Sequence, residues 1–320
     1  MSKTNQSILK YLLPASEQSN SDFYEECKFL TNWDAVEHDG WKLPGTSDSH
    51  DWCGVWKTIG CVNSEKHKQL GFGDVSFVKQ FQRSCYRAAC KECDKKWMGR
   101  QSNRSTRRIE KYAKNTGKKP FHVVLSVSDW DVNLPFPELK KKARKILSEL
   151  GVVGCGLIFH PFRFHKKIRC WHYSPHFHAV GFGRVDKIAE VFYKNNRWFI
   201  KDLGIRKSVF NTFYYLLTHC GIKKHFHALS WLGDLSYRKL KVEHEPQIRK
   251  CPACGEEFVE IYYDGFDPPT PPDQYFEGFV DSDGWYIVNT MSEEEYLQPK
   301  YEFASTRDLD YLLKGLTFTN

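Results

Sequence analysis

The stretch Tyr173-Ser-Pro-His-Phe-His-Ala-Val-Gly-Phe-Gly183 decides the fold that the sequence predicts. Side chains alternate between the two faces of a β-strand, so His176 and His178 lie on one face and Phe177 on the other. Two imidazoles on one face offer two nitrogen ligands to a single metal ion. The alternative is a strand whose histidines only make local hydrogen bonds, and the rest of the chain has to decide between the two.

Strands and helices alternate around this stretch. Residues 121–128 are apolar and β-branched, which predicts a strand, and the amphipathic residues 137–150 before Gly151 predict a helix. Further strands are predicted over 152–160, 171–183, 198–201 and 227–231, and further helices over 185–193 and 208–220. This βαββαβ order predicts an α+β fold of the ferredoxin-like kind, with an antiparallel or mixed central sheet and helices mainly on one face.

A candidate nucleophile lies in the predicted helix 208–220. Residues four apart share a face of a helix, so Tyr215 and His219 project together, whereas Tyr214 points about 100° away. A tyrosine beside a histidine suits an attack on phosphate, with the phenol as nucleophile and the imidazole as a third ligand beside the two strand histidines. We expect Tyr215 to be the nucleophile, and Tyr214 is the alternative if the helix register differs by one residue.

The 11 cysteines indicate zinc rather than disulfides, because no secretion signal is found and the cytosol keeps thiols reduced. Cys85-x4-Cys90-x2-Cys93 supplies three closely spaced thiolates. We expect Cys61 to be the fourth ligand of this structural zinc site, with Cys53 as the alternative.

A second cysteine group, Cys251-Pro-Ala-Cys254-Gly, has the spacing of a zinc knuckle. No second cysteine pair follows it, so its remaining ligands have to come from elsewhere in the chain. The candidates are His225, His227, His244 or a distant cysteine.

The formal net charge of +8 is unevenly distributed. Residues 79–119 contain 14 Lys or Arg and three acidic residues, whereas residues 256–310 contain 15 Asp or Glu and two basic residues. Basic side chains at helical spacing indicate a surface that neutralises nucleic-acid phosphates. The candidate DNA-binding residues are Arg83, Arg87, Lys96, Arg100, Arg104, Arg107, Arg108 and, from a later loop, Arg163.

Four motifs together resemble the HUH endonucleases, and more narrowly the rolling-circle replication initiator (Rep) proteins of archaeal plasmids and viruses. They are Gly-Leu-Ile-Phe-His-Pro-Phe-Arg (156–163), Ser-Pro-His-Phe-His-Ala-Val-Gly-Phe-Gly (174–183), Tyr-Leu-Leu-Thr-His (215–219) and Trp-Leu-Gly-Asp-Leu-Ser-Tyr-Arg-Lys-Leu (231–240). The resemblance covers residues 53–255.

The resemblance implies a replication initiator that is a metal-dependent, site-specific endonuclease and strand transferase for single-stranded DNA. Tyr215 would nick the origin and keep the 5′-phosphate as a phosphotyrosine, while His176 and His178 hold Mg²⁺ or Mn²⁺. Many relatives have a lysine one turn after the tyrosine, so His219 is a metal ligand, a phosphate contact or neither. The alternatives are a single-tyrosine transposase and a non-catalytic, zinc-containing DNA-binding regulator.

The sequence predicts five segments. They are a loosely ordered leader (1–52) with a short helix near 24–33, a cysteine-rich zinc segment with a basic DNA-binding helix (53–118), an HUH endonuclease domain (119–245), a zinc knuckle (246–263) and an acidic, proline- and aromatic-rich C-terminal tail (264–320). The zinc-binding segments would flank the endonuclease domain.

The expected partners are single-stranded or hairpin origin DNA, a host helicase and a host DNA polymerase. A helicase has to be borrowed, because the chain contains no Gly-x4-Gly-Lys-Ser/Thr phosphate loop. The sequence shows no secretion signal and no apolar run of membrane-spanning length, which predicts a cytoplasmic protein without a membrane partner.

Overall fold

The computed structural model describes residues 33–165, 169–183, 197–243, 250–261, 274–281 and 284–292. The predicted helix over 185–193, the proline-rich start of the C-terminal tail at 264–271 and nearly all of the predicted short helix near 24–33 lie outside these residues. The described residues form two compact units. Unit 1 comprises those between 33 and 47 and between 100 and 242, and unit 2 those between 48 and 99 and between 243 and 292.

The elements follow one another along the chain after a short 3₁₀ turn at Trp33–Ala35. They are β1 (Glu37–His38), β2 (Trp41–Lys42), β3 (Trp56–Cys61), α1 (Ser64–Gln69), β4 (Ser76–Gln82), α2 (Asp94–Thr116), β5 (Phe121–Ser126), α3 (Phe136–Glu149), β6 (Val152–His165), β7 (Cys170–Gly183), β8 (Phe199–Ile205), α4 (Val209–Thr218), β9 (Leu229–Gly233), β10 (Val259–Glu260), β11 (Gln274–Asp281) and β12 (Gly284–Ser292).

Unit 1 contains a five-stranded antiparallel sheet in the order β8-β5-β7-β6-β9. Both β5 and β6 pair antiparallel with β7, so they run parallel to each other with β7 between them. Helix α3 connects β5 to β6, which gives a split β-α-β unit. The chain is therefore an α+β protein with an antiparallel sheet, as predicted.

One face of this sheet is covered by α3. Phe121, Val123 and Leu125 alternate along β5 and are buried in the same apolar core as Leu139 and Ala143 of α3. Gly151 follows α3 with a φ of +77°, a left-handed conformation that suits glycine directly after a helix. The amphipathic pattern thus placed α3 to within one residue at each end.

The opposite face of the sheet carries the histidines and is also covered by helices. Tyr112 of α2 contacts Phe182 of β7, with ring centroids 4.7 Å apart. In α4, Phe213 packs close to the sheet because Gly156 has no side chain, and a β-carbon at Gly156 would lie 3.2 Å from the Phe213 ring. Helices therefore pack on both faces, whereas the sequence predicted packing mainly on one.

Unit 2 contains a second five-stranded sheet in the order β10-β3-β4-β11-β12. Strands β11 and β12 pair with each other and β11 also pairs with β4, so residues 274–281 and 284–292 belong to this sheet although the sequence assigned them to the acidic tail. Helix α2, the longest helix among the described residues, is the predicted basic helix, and the boundary between the units falls within it. Among the described residues, no helix is both long and apolar enough to cross a membrane.

Candidate metal centres

Three groups of cysteine and histidine side chains in the described part of the chain could each hold a metal ion. They are a histidine group (His160, His176, His178), a four-cysteine group (Cys53, Cys85, Cys90, Cys93) and a mixed group (Cys61, His67, Cys251, Cys254). Within each group, one ligand atom from every residue lies within 4.8 Å of the others.

The histidine group is assembled by adjacent strands of the unit 1 sheet. His160 on β6 pairs directly with His176 on β7, and His178 lies two residues further along β7, on the same face. The β7 pair was predicted from the His-x-His spacing. His160 takes the place that the sequence assigned to His219, because directly paired residues on neighbouring strands share a face.

Burial keeps these imidazoles neutral. It lowers the pKa of His176 to about 3, with the nearby Arg163 guanidinium adding to the effect. Burial and the neighbouring histidines also hold the pKa of His160 and of His178 well below the usual range for histidine. Neutral imidazoles keep the nitrogen lone pairs that a metal ion requires.

His160 is fully buried, and neither of its ring nitrogens has a hydrogen-bond partner of ordinary geometry among the described residues. The backbone of Leu216 in α4 lies near the ring and slightly favours its protonated form, but the cost of burial is much larger. A buried polar group without a partner calls for a physical explanation. A metal ion held by the three histidines would give His160 that partner, so these residues fit a bound ion.

Hydrogen bonds orient the two β7 histidines. Nδ1 of His176 lies 2.8 Å from the carbonyl oxygen of Ser174 and donates its proton there, which leaves Nε2 for an ion. Nδ1 of His178 lies 2.8 Å from Nε2 of His122 on β5, which again leaves Nε2 for an ion. The Ser174 carbonyl can only accept, so it fixes the tautomer of His176 that metal binding needs, and His122 can accept the Nδ1 proton of His178 when Nε2 binds an ion.

Arg163 lies beside this group. Its Nη2 donates a hydrogen bond of 2.6 Å to Oγ of Ser126. Its Nε lies 3.4 Å from Nδ1 of His176, but that nitrogen already carries the proton donated to Ser174, so Nε–H remains available to an anion. A fixed cation therefore lies next to three neutral imidazoles.

His219 does not join the three histidines. Helix α4 ends at Thr218, two residues before the predicted end, so His219 caps the helix and its Nδ1 lies 3.0 Å from Oγ1 of Thr218. The His219 ring instead lies between the His160 ring and the Tyr215 ring, at centroid distances of 4.4 Å and 5.0 Å. His219 is therefore a neighbour of the histidine group and not its third member.

The two candidate nucleophiles differ in their surroundings. Tyr215 is 65% exposed and stands over His219, the arrangement that the four-residue spacing predicted. Tyr214 is half-buried and stacks on Phe210, with ring centroids 5.9 Å apart. Of the two, Tyr215 has the accessible ring beside the histidines.

The four-cysteine group contains Cys53, the alternative ligand, and not Cys61. Sγ of Cys53 lies 3.9 Å from Sγ of Cys90, close to the edge of about 3.8 Å in a tetrahedron with zinc–sulfur bonds of about 2.3 Å. Burial opposes ionisation of Cys85, but hydrogen bonds from Arg87 outweigh it and lower its pKa to about 7. Four cysteines at these distances suit a closed zinc-like site.

The mixed group is completed by Cys61 and His67 from β3 and α1. Nε2 of His67 lies 3.2 Å from Sγ of Cys254 and 3.3 Å from Sγ of Cys251. Nδ1 of His67 bonds the carbonyl oxygen of Val75 at 2.6 Å, which orients the ring as in many zinc sites. The distant cysteine that the knuckle needed is therefore Cys61, the ligand that the sequence assigned to the other group.

Of the other candidate partners of the zinc knuckle, His225 and His227 lie in unit 1, outside this group, and His244 lies outside the described residues.

Comparisons with protein-family models, with curated proteins and with solved structures gave no match. The function has to be argued from the geometry of the three groups and of the basic residues.

The eight predicted DNA-binding residues divide by exposure. Arg100 and Arg104 are exposed and lie one turn apart on α2, whereas Arg107 is only partly exposed. Lys96 is buried and donates a hydrogen bond of 2.8 Å to Oε1 of Gln82, so it is a structural residue.

Arg108 is also buried, and this corrects its assignment to a DNA surface. Its Nη1 donates to the carbonyl oxygens of Leu235 and Leu240 at 3.0 and 2.8 Å. The guanidinium lies 5.4 Å from the centroid of the Trp231 ring and 4.6 Å from that of Tyr237. Arg108 thus ties α2 to the chain after β9.

The other two predicted residues of unit 2 already have protein partners. Nη2 of Arg83 lies 3.5 Å from Oε1 of Glu260, and Nε of Arg87 lies 3.4 Å from Sγ of Cys85. Both side chains remain exposed enough to reach an anion. Arg100 and Arg104, both exposed and one turn apart on α2, remain candidates for a phosphate-binding surface.

Sequence reasoning missed three histidines of these sites. His160 falls within the quoted motif 156–163, and its alternation with the apolar Phe159 on a predicted strand was the available signal. The spacing Cys61-x5-His67 was a weaker signal, since no second cysteine follows nearby. His122 carried none, because its role depends on the pairing of β5 with β7.

Proposed function

We propose that the chain is an HUH-type endonuclease that nicks single-stranded DNA at an origin and starts rolling-circle replication. Tyr215 is the nucleophile, and the histidine group holds the divalent ion. The single observation that carries the proposal is the row of rings Tyr215, His219 and His160, which leads from an exposed phenol to three buried, neutral imidazoles.

The topology of unit 1 supports this proposal. The strand order β8-β5-β7-β6, with a split β-α-β unit, is consistent with the ferredoxin-like sheet that the HUH resemblance implies. The two histidines of the His-Phe-His motif lie on the central strand β7, and the helix with Tyr215 packs on their face.

The proposed reaction conserves the phosphodiester energy. The Tyr215 phenol loses its proton to solvent water, its oxygen bonds the scissile phosphorus, and the bond from phosphorus to the 3′-oxygen breaks. The 3′-oxygen takes up a proton and becomes a free hydroxyl that primes synthesis, while the 5′-phosphate stays on Tyr215. Attack by a 3′-hydroxyl on the phosphotyrosine reverses the step and closes the circle.

The residues around the phosphate divide this work. His160, His176 and His178 would hold the divalent ion, which when bound would supply Lewis-acid polarisation of the scissile phosphate. Arg163 provides a fixed positive charge beside the histidines, suited to a phosphate oxygen. Imidazole donors suit transition metals better than Mg²⁺, so of the two expected ions we favour Mn²⁺.

The remaining features serve DNA binding in this proposal. Zinc in the four-cysteine and mixed groups stabilises unit 2, and exposed Arg100 and Arg104 contact the phosphates of an origin duplex or hairpin. A host helicase would unwind the duplex, and a host polymerase would extend the 3′-hydroxyl.

Formation of a covalent adduct tests the proposal. Single-stranded oligonucleotides that tile the DNA flanking the coding sequence are incubated with the protein and Mn²⁺, and adducts are separated on denaturing gels. We expect one oligonucleotide to give an adduct with the wild type and with Tyr214→Phe, and none with Tyr215→Phe. Absence of an adduct on every strand would favour a zinc-containing regulator that binds DNA without cleaving it.

A further inference from the structure

The strand register places an exposed edge of the unit 1 sheet next to the histidine group. Ser126 pairs with His176 on one side and with Phe199 on the other, so the three residues share one face of the sheet. Adjacent strands lie about 4.8 Å apart, which puts the Phe199 backbone about 10 Å from that of His176. A short stretch of an extended nucleotide strand covers this distance.

A second set of residues paired across the same three strands places a cation at the edge. Val124 pairs with His178 on one side and with Lys201 on the other. Lys201 is exposed, and among the described residues β8 pairs only with β5, so it forms an edge of the sheet. On the face that carries the histidines, the edge strand therefore presents Phe199 in line with His176 and Lys201 in line with His178.

Two aromatic rings at this edge are open to solvent. Phe199 is 55% exposed, and Trp130, which follows β5, is 69% exposed. The guanidinium of Arg197 lies 3.9 Å from the centroid of the Trp130 ring, just before β8 begins. Exposed aromatic rings combined with cations form the usual platform for single-stranded nucleic acids, in which bases stack and phosphates meet positive charge.

The edge surface with Phe199, Trp130 and Lys201, here called the platform, adjoins the histidine group. Arg163, beside His176, donates its hydrogen bond to Ser126, and Ser126 is the direct neighbour of Phe199 in the sheet. Positive charge therefore extends from the histidines towards the edge. Exposed aromatic rings together with cations suit a polyanion with flat, apolar bases. A protein strand added to this edge would need only backbone hydrogen bonds, and it would not require these side chains.

We propose that this edge binds the single-stranded DNA that flanks the phosphate at the histidine group. Bases stack on Phe199 and Trp130, and Lys201 contacts a backbone phosphate. The inference rests on the proposed nuclease function for the identity of the strand, but the binding itself needs neither the metal ion nor Tyr215.

The inference is tested by the binding of a fluorescein-labelled oligothymidylate of about 12 nucleotides to zinc-loaded protein, measured by anisotropy without added Mn²⁺ or Mg²⁺ and without a chelator. We expect Phe199→Ala and Phe199→Leu to raise Kd at least about 5-fold, the lower end of the loss when one base stops stacking on an aromatic ring. Phe199→Trp should bind like the wild type. Lys201→Ala should weaken binding and reduce the salt slope by about 0.7.

Two substitutions on the other face of the sheet are matched controls. Ile205 is 59% exposed on the same strand but pairs with Phe121 on the α3 face, and Lys141 is exposed on α3 itself. Ile205→Ala and Lys141→Ala should leave Kd unchanged. Equal affinities for Phe199→Ala, Ile205→Ala and the wild type, or no binding by the wild type, would overturn the inference.

The covalent reaction separates the two proposals. Phe199→Ala should need at least about five times more oligonucleotide than the wild type for half-maximal formation of the Tyr215 adduct, whereas Ile205→Ala should need no more than the wild type. If oligonucleotide affinity is unchanged while Phe199→Ala dissolves a dimer seen by sedimentation, the edge joins two copies of the chain and this inference fails. The adduct would still support the nuclease.

Discussion

His122 and His178 share a buried hydrogen bond, with 2.8 Å between Nε2 of His122 and Nδ1 of His178. When Nε2 of His178 binds an ion, its ring proton sits on Nδ1 and is donated to His122. His122 can accept it because burial and the nearby Arg206 lower its pKa to about 4, so its ring is neutral. A histidine thus takes the position that a carboxylate or carbonyl holds behind many metal ligands.

Loss of this acceptor should weaken metal binding without removing a ligand. We expect His122→Leu to lower the Mn²⁺ affinity of the histidine group about 10- to 100-fold. His122→Gln keeps an acceptor oxygen and should retain most of the affinity. Titration of zinc-loaded protein with Mn²⁺, followed by electron paramagnetic resonance, measures this, and equal affinities in both variants would contradict the role of His122.

Metal binding by the histidine group should depend weakly on pH. For an exposed histidine with a pKa of 6.5, the neutral fraction falls about tenfold between pH 7.5 and 5.5, and this loss applies to each ligand. Burial lowers the pKa of His176 to about 3 and holds that of His160 and His178 well below 6.5, so the lone pairs stay available. We expect less than a twofold change in Mn²⁺ affinity, and a drop of a hundredfold or more would show that the imidazoles are solvated.

The ligand assignments predict a definite zinc count. The wild type should contain two zinc ions per chain, Cys53→Ser or Cys61→Ser should contain one, and the double variant none. Cys61→Ser with Cys251→Ser should still contain one, because both residues belong to the mixed group. Metal analysis after purification without added zinc decides this, with Cys155→Ser, a buried cysteine outside both groups, as the control.

Arg108 and Arg104 should differ in what they do although they lie one turn apart. Arg108→Ala removes two hydrogen bonds from a buried guanidinium and its contacts with Trp231 and Tyr237, which should lower the free energy of unfolding by about 3 kcal/mol. Arg104→Ala should leave stability nearly unchanged and weaken duplex binding. Urea unfolding and a salt-dependent binding assay separate the two, and a stable Arg108→Ala variant would refute the structural role.

The regular parts of unit 1 could be predicted from periodicity. The apolar stripe and terminal glycine of α3 and the alternation of β5 and β7 are local signals, and the observed elements follow them. The end of α4 was predicted two residues too late, because the next glycine after the helix is Gly221 and no glycine follows Thr218 directly. That difference of two residues is what removes His219 from the helix.

The composition of the metal groups could be predicted only where ligands are close in sequence. Close spacing in the sequence predicts Cys85, Cys90 and Cys93 as ligands of one ion. The choice between Cys53 and Cys61 depends on how the strands of unit 2 pair. The same holds for His160, which joins the histidine group through strand register. Long-range pairing has no local sequence signal, so these assignments required the structure.

Mapping the attachment site of the nicked strand tests the central claim most directly. Wild-type protein is reacted with Mn²⁺ and the oligonucleotide that forms an adduct, then digested with nuclease and protease, and the modified peptide is sequenced by mass spectrometry. We predict a 5′-phosphonucleotide on Tyr215, with a free 3′-hydroxyl on the released fragment and no product in the His160→Ala, His176→Ala double variant. A modification on any other residue, or cleavage that leaves Tyr215 unmodified, would contradict the account.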